Sequence, residues 1–339
     1  MSYKRKDTTG EVLCIPNFSE GTDSSKIRLI SKSIESVSGI KLLHVDSGAD
    51  ANRTVITFAG TPESVCNAAF EAIKTASKII DMRLHHGKHP RTGSVDVCPL
   101  VPIRNISMEE TVIYARKLAE RTGRELEIPV YCYENAAFVP ERRNLAFCRK
   151  GEYESLKQKL SEQKPDFGPD IFTPKVAKTG AAIIGARDFL VAVNFNLNTK
   201  SKDTAALIAS GIREKGRKDT DAKLKGIKAI GWYINDFDIA QVSVNITDIK
   251  AVSLYRVFEE VRKRAEQLDV QVTGTEIVGL IPEKILLDAG YCFLSQTENP
   301  ANVSDELLLK IAIEKLGLND LYPFIPDEKI LDRKLGHPV

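Results

Sequence analysis

The sequence predicts an α/β protein of the α+β kind, built as two ferredoxin-like lobes with mixed sheets and helices packed on one face. Three observations predict it. At 339 residues the chain exceeds what one hydrophobic core usually holds. Its first half reads strand, helix, strand, strand, helix, strand, and its second half repeats that order without obvious sequence identity. A split β-α-β-β-α-β unit of this kind closes as a sheet with helices on one side.

In the first half, Val12 to Pro16 is a short apolar strand, and Asp23-Ser24-Ser25 caps a helix running to about Val37. Ile40 to Val45 is extended, and Arg53 to Phe58 alternates with β-branched residues. The turn-rich run from Asp46 to Asn52 joins them. Thr61-Pro62-Glu63 opens a helix to Ile80, with proline in its first turn, and Ser94 to Leu100 is the next strand. In the second half, Phe189 to Phe195, Ile227 to Ile234, Ile239 to Ile246 and Val270 to Leu280 read as strands. Ala205 to Arg213 and Ala251 to Leu268 read as helices, and a further helix starts at Asp305. The expected division is an N-terminal subdomain over 1–178, a C-terminal one over 179–326 and a tail over 327–339.

Between the halves, residues 163–174 hold three prolines, a glycine and two phenylalanines, which suit neither a helix nor a central strand. The run reads equally as an inter-domain linker or as a rigid wall for a flat heterocyclic ligand.

The composition is 42% hydrophobic and 28% charged, with a net charge of +2, which lacks the basic excess of a nucleic-acid binder. The polar start Met1–Asp7 does not read as a signal peptide, and no apolar run is long enough to span a bilayer. Six scattered cysteines without a Cys-x-x-Cys pair suggest reduced thiols, and hence a cytoplasmic protein without a membrane partner.

The chemistry concentrates in the run from Asp81 to Pro99, which holds His85, His86 and His89, three of the five histidines. Histidine changes charge nearest neutral pH, so general acid–base work is the first reading. An exposed polar loop is the plain alternative. A metal site is not expected, because Gly87 and Pro90 interrupt the helix that would align His85 with His89. Asp46, at a strand end, either caps a turn or orients an imidazole. Asn17, in the run from Ile15 to Gly21, reads as part of a strand-to-helix turn or as a donor facing a ligand. No phosphate loop and no Gly-x-Gly-x-x-Gly follows a strand, so no nucleotide cofactor is indicated. The basic run from Arg213 to Lys228 is diluted by Glu214, Asp219 and Asp221. It reads as a solvated loop before it reads as an attractor of polyanions.

Nine short runs together resemble the formiminotransferase family: Pro16-Asn17-Phe18-Ser19-Glu20-Gly21, Asn52-Arg53-Thr54-Val55, His89-Pro90-Arg91-x-Gly93, Asp96-Val97-Cys98-Pro99, Pro165-Asp166-Phe167-Gly168-Pro169, Gly185-Ala186-Arg187, Gly231-Trp232-Tyr233, Ala240-Gln241-Val242-Ser243 and Val278-Gly279-Leu280. The resemblance implies two α/β lobes meeting near Val176 to Ile183, folate held between them, a homodimer and no cyclodeaminase domain after the second lobe. It implies transfer of the formimino group from N-formimino-L-glutamate to tetrahydrofolate, the co-substrate, with no metal. The alternatives are a folate enzyme using 5-formyltetrahydrofolate and glutamate, and a non-catalytic folate-binding protein. The family's catalytic histidine falls on His89 and its aspartate on Asp46. The folate loop falls on Gly168 to Ala177, with Gly168, Pro169, Asp170, Phe172 and Pro174 as contacts. Arg53 and Arg91 are expected to clamp the two carboxylates of the donor. Asn17 and Asn52 complete the substrate-binding set. The chain departs from the family pattern at His44, Thr92 and Glu276, where aspartate, methionine and glutamine are usual, and Glu276 bears on substrate choice.

Overall fold

In a computed structural model that describes residues 9–214, 224–296 and 303–339, the chain divides after Asp188 into two units. The first strand of the first unit forms in two pieces, β1 (Glu11–Cys14) and β2 (Asn17–Phe18). Pro16 lies at the break, and proline has no N–H to give a ladder. α1 (Ser24–Glu35) follows, capped by the side chain of Asp23. Next come β3 (Lys41–Gly48), β4 (Arg53–Gly60), α2 (Pro62–Ile79), capped by Thr61, and β5 (Val95–Arg104). β1 and β2 lie between β4 and β5, antiparallel to both, and β3 forms the edge beyond β4. The order β3, β4, β1/β2, β5 is the split unit that the sequence predicts.

Three further elements enlarge it. α3 (Met108–Leu126) starts at a capping box of Ser107 and Glu110, a signal legible in the sequence as Ser-x-x-Glu. β6 (Val130–Glu134) and β7 (Ala182–Ala186) then add two parallel strands, β7 against β5 and β6 outside it. Every residue of β7 is buried, so it shows no alternation and offers only a short apolar run to a reader of the sequence. β7 follows the boundary expected at residue 178, yet by its pairing it belongs to the first unit.

Ile30, Ile34, Phe70, Ile73 and Leu118 of α1, α2 and α3 pack with Phe18, Ile56, Phe58 and Ile184 on one face of this sheet. On the other face, α4 (Leu145–Arg149) brings Cys148 against Val97, Tyr133 and Ile183. α5 (Leu156–Glu162) and α6 (Pro174–Thr179) cover Tyr131. The part of that face carried by β2, β3 and β4 holds polar side chains.

The second unit contains β8 (Val191–Leu197), α7 (Lys202–Ile212), β9 (Ile227–Ile234), β10 (Ile239–Ile246), α8 (Leu254–Glu266) and β11 (Val272–Val278). Its four strands are antiparallel in the order β11, β8, β10, β9. Val193, Phe195, Val242 and Val244 meet Ile208, Val257 and Val261 in its core, which α9 (Glu283–Leu294) and α10 (Asp305–Lys315) extend. Met1–Asp7 and, from the basic run, Lys215, Arg217, Lys218 and Lys223 lie outside the described residues. Among the described residues no helix is long and apolar enough to cross a membrane. The six cysteines are free thiols.

Candidate active site

Ile56 and Phe58 of β4 point into the helical core, so Arg53, Val55 and Thr57, alternating with them, point to the opposite face. Register then sets the neighbours. Asp46 on β3 and Asn17 on β2 both stand directly opposite Val55, one on each side. Opposed residues project to the same face, which puts Asp46 and Asn17 in one row, two strand spacings or about 10 Å apart. Oδ2 of Asp46 lies 3.8 Å from Nε2 of His44. Nδ2 of Asn17 donates to the Ile15 carbonyl at 3.4 Å.

Three loops meet at Asn52, beside Arg53. A Cβ on Gly21 would stand 2.5 Å from the Arg53 nitrogen, and one on Gly87 2.5 Å from the Ala51 oxygen, so only glycine permits the approach. Asn52 is the joint between them, in the left-handed region at φ +45°, which asparagine tolerates. Its Oδ1 accepts from the Gly21 N–H at 2.9 Å and its Nδ2 donates to the His86 carbonyl at 2.7 Å. Both ends of the Asn52 amide therefore serve the backbone of neighbouring loops.

The buried His85 is locked as well. Its Nε2 donates to the Asn52 carbonyl at 2.9 Å, and its Nδ1 accepts from Nε of Arg91 at 3.3 Å. Burial pushes its pKa down, and the neutral ring uses both nitrogens structurally. Arg91 continues the brace: Nη1 lies 3.0 Å from Glu152 and 2.8 Å from Glu154, and Nη2 lies 2.5 Å from Glu154. The donors expected to clamp a substrate are held by two of the protein's own carboxylates.

His89 is placed differently. Its Nε2 lies 2.5 Å from Nη1 of Arg53. A guanidinium only donates, so Nε2 is the acceptor and the ring proton belongs on Nδ1. Burial first, then the cations Arg53 and Arg149, hold the His89 pKa well below 6.5, and the imidazole is neutral at pH 7. Arg149 is itself anchored. The carboxylate of Asp96, 2% exposed, takes its Nε at 3.3 Å and its Nη2, and also accepts from the Thr92 N–H at 3.1 Å.

Glu20 fixes the loop before α1. It accepts from the N–H and hydroxyl of Thr22, the N–H of Asp23 and the ammonium of Lys26. Burial alone would raise its pKa, but those bonds outweigh it and bring it down to about 2. A carboxylate whose folded pKa lies below its unfolded 4.5 adds stability above pH 4.5 that is lost as the pH falls through about 2. Glu20→Gln should therefore flatten the acid side of the stability curve between pH 4.5 and 2, read from urea midpoints. An unchanged acid slope would take Glu20 out of this account.

The proline-rich run lies inside the first unit and is not a linker between the two. Phe167 forms an antiparallel bridge with Val130 beyond β6, and Asp166 accepts from the Cys132 N–H at 2.7 Å. Gly168 has φ +83°, and a Cβ there would collide with the Ile128 carbonyl. Phe167 packs on the main core and Phe172 on the Tyr131 cluster. The exposed Asp170 pairs with Lys164 at 3.1 Å, Pro169 is half-buried, and Pro174 opens α6 behind its Thr173 cap. α6 then returns to the histidine loop: the Met82 N–H donates to Lys178 at 2.8 Å and the Ser94 N–H to Thr179 at 2.7 Å.

In the second unit, Glu276 accepts from Asn194 at 2.9 Å, Gln241 at 3.2 Å and the Tyr322 hydroxyl at 3.2 Å. Gln241 accepts in turn from the Trp232 indole at 3.0 Å. These three donors, two amides and a phenol, are neutral. Among the described residues no three His, Cys, Asp or Glu side chains converge as metal ligands would.

The structure thus brings Asn17, Asp46, Arg53 and His89 to one face and sets Asn52 and Arg91 behind them as supports. Glu20 and Asp96 lie in runs that resemble the family's but carry no role in the sequence reading, and Arg149, Glu152 and Glu154 lie outside those runs. Asp96 and Arg149 stand 53 residues apart, and nothing local in the sequence marks them as partners.

Residues 11–187 match the family model described as the formiminotransferase domain, N-terminal subdomain, and residues 192–336 match that described as the formiminotransferase domain. The chain is 45% identical over 324 residues to a formimidoyltransferase-cyclodeaminase of Mus musculus, covering 95% of this chain and 59% of that protein. It thus spans about 59% of the length of such relatives. It is 44% identical to glutamate formimidoyltransferases of Thermoplasma acidophilum and Streptococcus pyogenes, each over 84% of this chain and covering 92% and 93% of theirs.

Proposed function

Because this chain belongs to the formiminotransferase family, we propose that it transfers the formimino group from N-formimino-L-glutamate to N5 of tetrahydrofolate, releasing L-glutamate, as a one-carbon step of histidine breakdown. The observation that carries the reading is His89, a neutral imidazole beside Arg53 on the polar face of the first sheet. As N5 attacks the formimino carbon, His89 takes the N5 proton. It returns that proton to the glutamate nitrogen as the old C–N bond breaks, so no proton is gained or lost overall. Asp46 stabilises the cationic intermediate, and Asn17 offers its amide to the donor. Arg53 clamps a donor carboxylate. Folate is the co-substrate, held by the loop of Gly168, Pro169, Asp170, Phe172 and Pro174, and the mechanism calls for no metal. A cytoplasmic homodimer completes the proposal, on the family resemblance.

The test is turnover of tetrahydrofolate with formiminoglutamate, run beside 5-formyltetrahydrofolate with glutamate, with product read as the methenyl-folate chromophore after acid. Transfer from formiminoglutamate supports the reading. Turnover with the formyl donor alone moves the protein to that activity, and silence with both favours a binding protein. Arg53→Lys should raise KM for formiminoglutamate and leave KM for folate unchanged, because the bidentate fork is lost. An unchanged donor KM would remove the clamp.

A further inference from the structure

We propose that Arg149 holds the second carboxylate of the donor, offering one edge of its guanidinium to the site while Asp96 fixes the other. Its place in the reaction rests on the function proposed above, and it makes Arg149 the residue that selects a dicarboxylate donor.

Formiminoglutamate carries two carboxylates, of which Arg53 takes one. The sequence assigns the other to Arg91, but all three guanidinium nitrogens of Arg91 are engaged. Nε donates to His85, Nη1 to Glu152 and Glu154, and Nη2 to Glu154. One guanidinium among two carboxylates also carries a net negative charge, which repels an arriving anion. Arg149 differs in both respects. Asp96 alone pairs with it, through Nε and Nη2, and among the described residues Nη1 has no hydrogen-bond or ion-pair partner. The Arg149 side chain is 18% exposed, and its Nη1 is not among the polar atoms buried without a partner, so that nitrogen reaches solvent. A guanidinium pinned along one edge by a buried carboxylate is ordered before the ligand arrives, so less freedom is lost on binding.

The fold sets Arg149 beside the reacting groups. Val97 stands opposite Asn17 and Val95 opposite Phe18, so β5 bulges at Asp96 where it passes β2. A bulge of this kind re-aims a side chain. Cys148, the residue before Arg149, packs on Val97 on the face away from the helical core. Asp96 also accepts from the Thr92 N–H at 3.1 Å, which ties Arg149 to the loop of His89. After α4 the chain turns through Gly151 and Glu152, at φ +78° and +54°. Glu152 gives its N–H to the Arg149 carbonyl at 2.7 Å and its carboxylate to Arg91 at 3.0 Å. The carboxylate that engages Arg91 thus holds the turn of Arg149 against the histidine loop. Arg149 and Arg53 are both within electrostatic reach of the His89 imidazole. The formimino nitrogen of the donor sits on the carbon chain between its two carboxylates, so a donor gripped by both guanidiniums presents that group to His89.

The experiment measures binding of N-formimino-L-glutamate to the full chain by calorimetry, without folate. Two analogues, the N-formimino derivatives of 4-aminobutyrate and of L-2-aminobutyrate, each lack one of the carboxylates. Wild type should bind each analogue about tenfold or more weakly than formiminoglutamate, the worth of one charge-assisted hydrogen bond. Arg149→Lys keeps a cation for Asp96 but loses the planar fork, and should weaken formiminoglutamate binding by a similar factor. It should leave unchanged the Kd of the one analogue that lacks the carboxylate Arg149 holds. Should that variant fail to fold, Arg149→Gln, which still offers Asp96 an amide N–H, takes its place. A formiminoglutamate Kd unmoved by the substitution overturns the assignment, and so does equal weakening of both analogues. Wild type that binds either analogue as tightly as formiminoglutamate overturns it whatever the variants do. Transfer by wild type with an unmoved Kd removes Arg149 and leaves the proposed function standing, whereas no transfer and no binding removes both.

Discussion

Replacing His89 with alanine is expected to lower kcat for formimino transfer by about 10²–10⁴-fold, the usual worth of a positioned acid–base group. Folate affinity should be largely retained, because the loop proposed to hold folate, Gly168 to Pro174, is braced by β6 and α6. Equilibrium binding of tetrahydrofolate beside steady-state turnover separates the two. A variant with normal kcat would end the role of His89 as proton carrier. The same group sets the pH dependence. A base whose pKa lies well below 6.5 stays deprotonated through neutrality, so the acid limb of kcat/KM should fall below pH 6.5. Arg53→Gln removes a neighbouring cation and should move that limb upward. It should stop short of 6.5, because burial, the largest cause of the depression, remains.

Gly180→Ala is expected to give the largest loss of stability. Gly180 adopts φ +69° and ψ −157°, a region that is essentially glycine's alone, and forcing another residue there costs about 1–3 kcal/mol. The added Cβ would also overlap the Gly93 Cα and the Thr92 carbonyl oxygen, which are backbone atoms in the Gly93–Gly180 bridge and cannot swing away. The urea midpoint should fall clearly, and activity should fall with it, because this bridge ties α6 to the end of the histidine loop. An unchanged midpoint would mean that the two segments part without cost.

Much of this was legible in the sequence, for reasons that differ from element to element. α1 and α2 announce themselves by Asp23 and by Thr61-Pro62, caps that act within one turn. β9 and β10 occupy Ile227–Ile234 and Ile239–Ile246, the ranges their apolar patterns suggest, because a four-residue turn pins both ends. β6 and β7 were missed, since parallel strands buried on both faces carry no period. Asn52 and Arg91 lie in runs that resemble the family's, and their residue types suit a ligand. A motif does not tell whether a polar side chain will turn toward substrate or toward its own backbone. That depends on Gly21, Gly87, Glu152 and Glu154, which come near only after folding.

By itself the sequence determined the family, the two split β-α-β-β-α-β units and the loop in which acid–base chemistry would sit, because periodicity, caps and contiguous motifs are local properties of a chain. Only the tertiary structure decided which histidine is locked and which faces Arg53, and how the polar side chains divide between the open face and its supports. Those choices are made by contacts between residues as far apart as Asp96 and Arg149, or Arg53 and His89. Their energies depend on burial and distance, which no stretch of sequence contains.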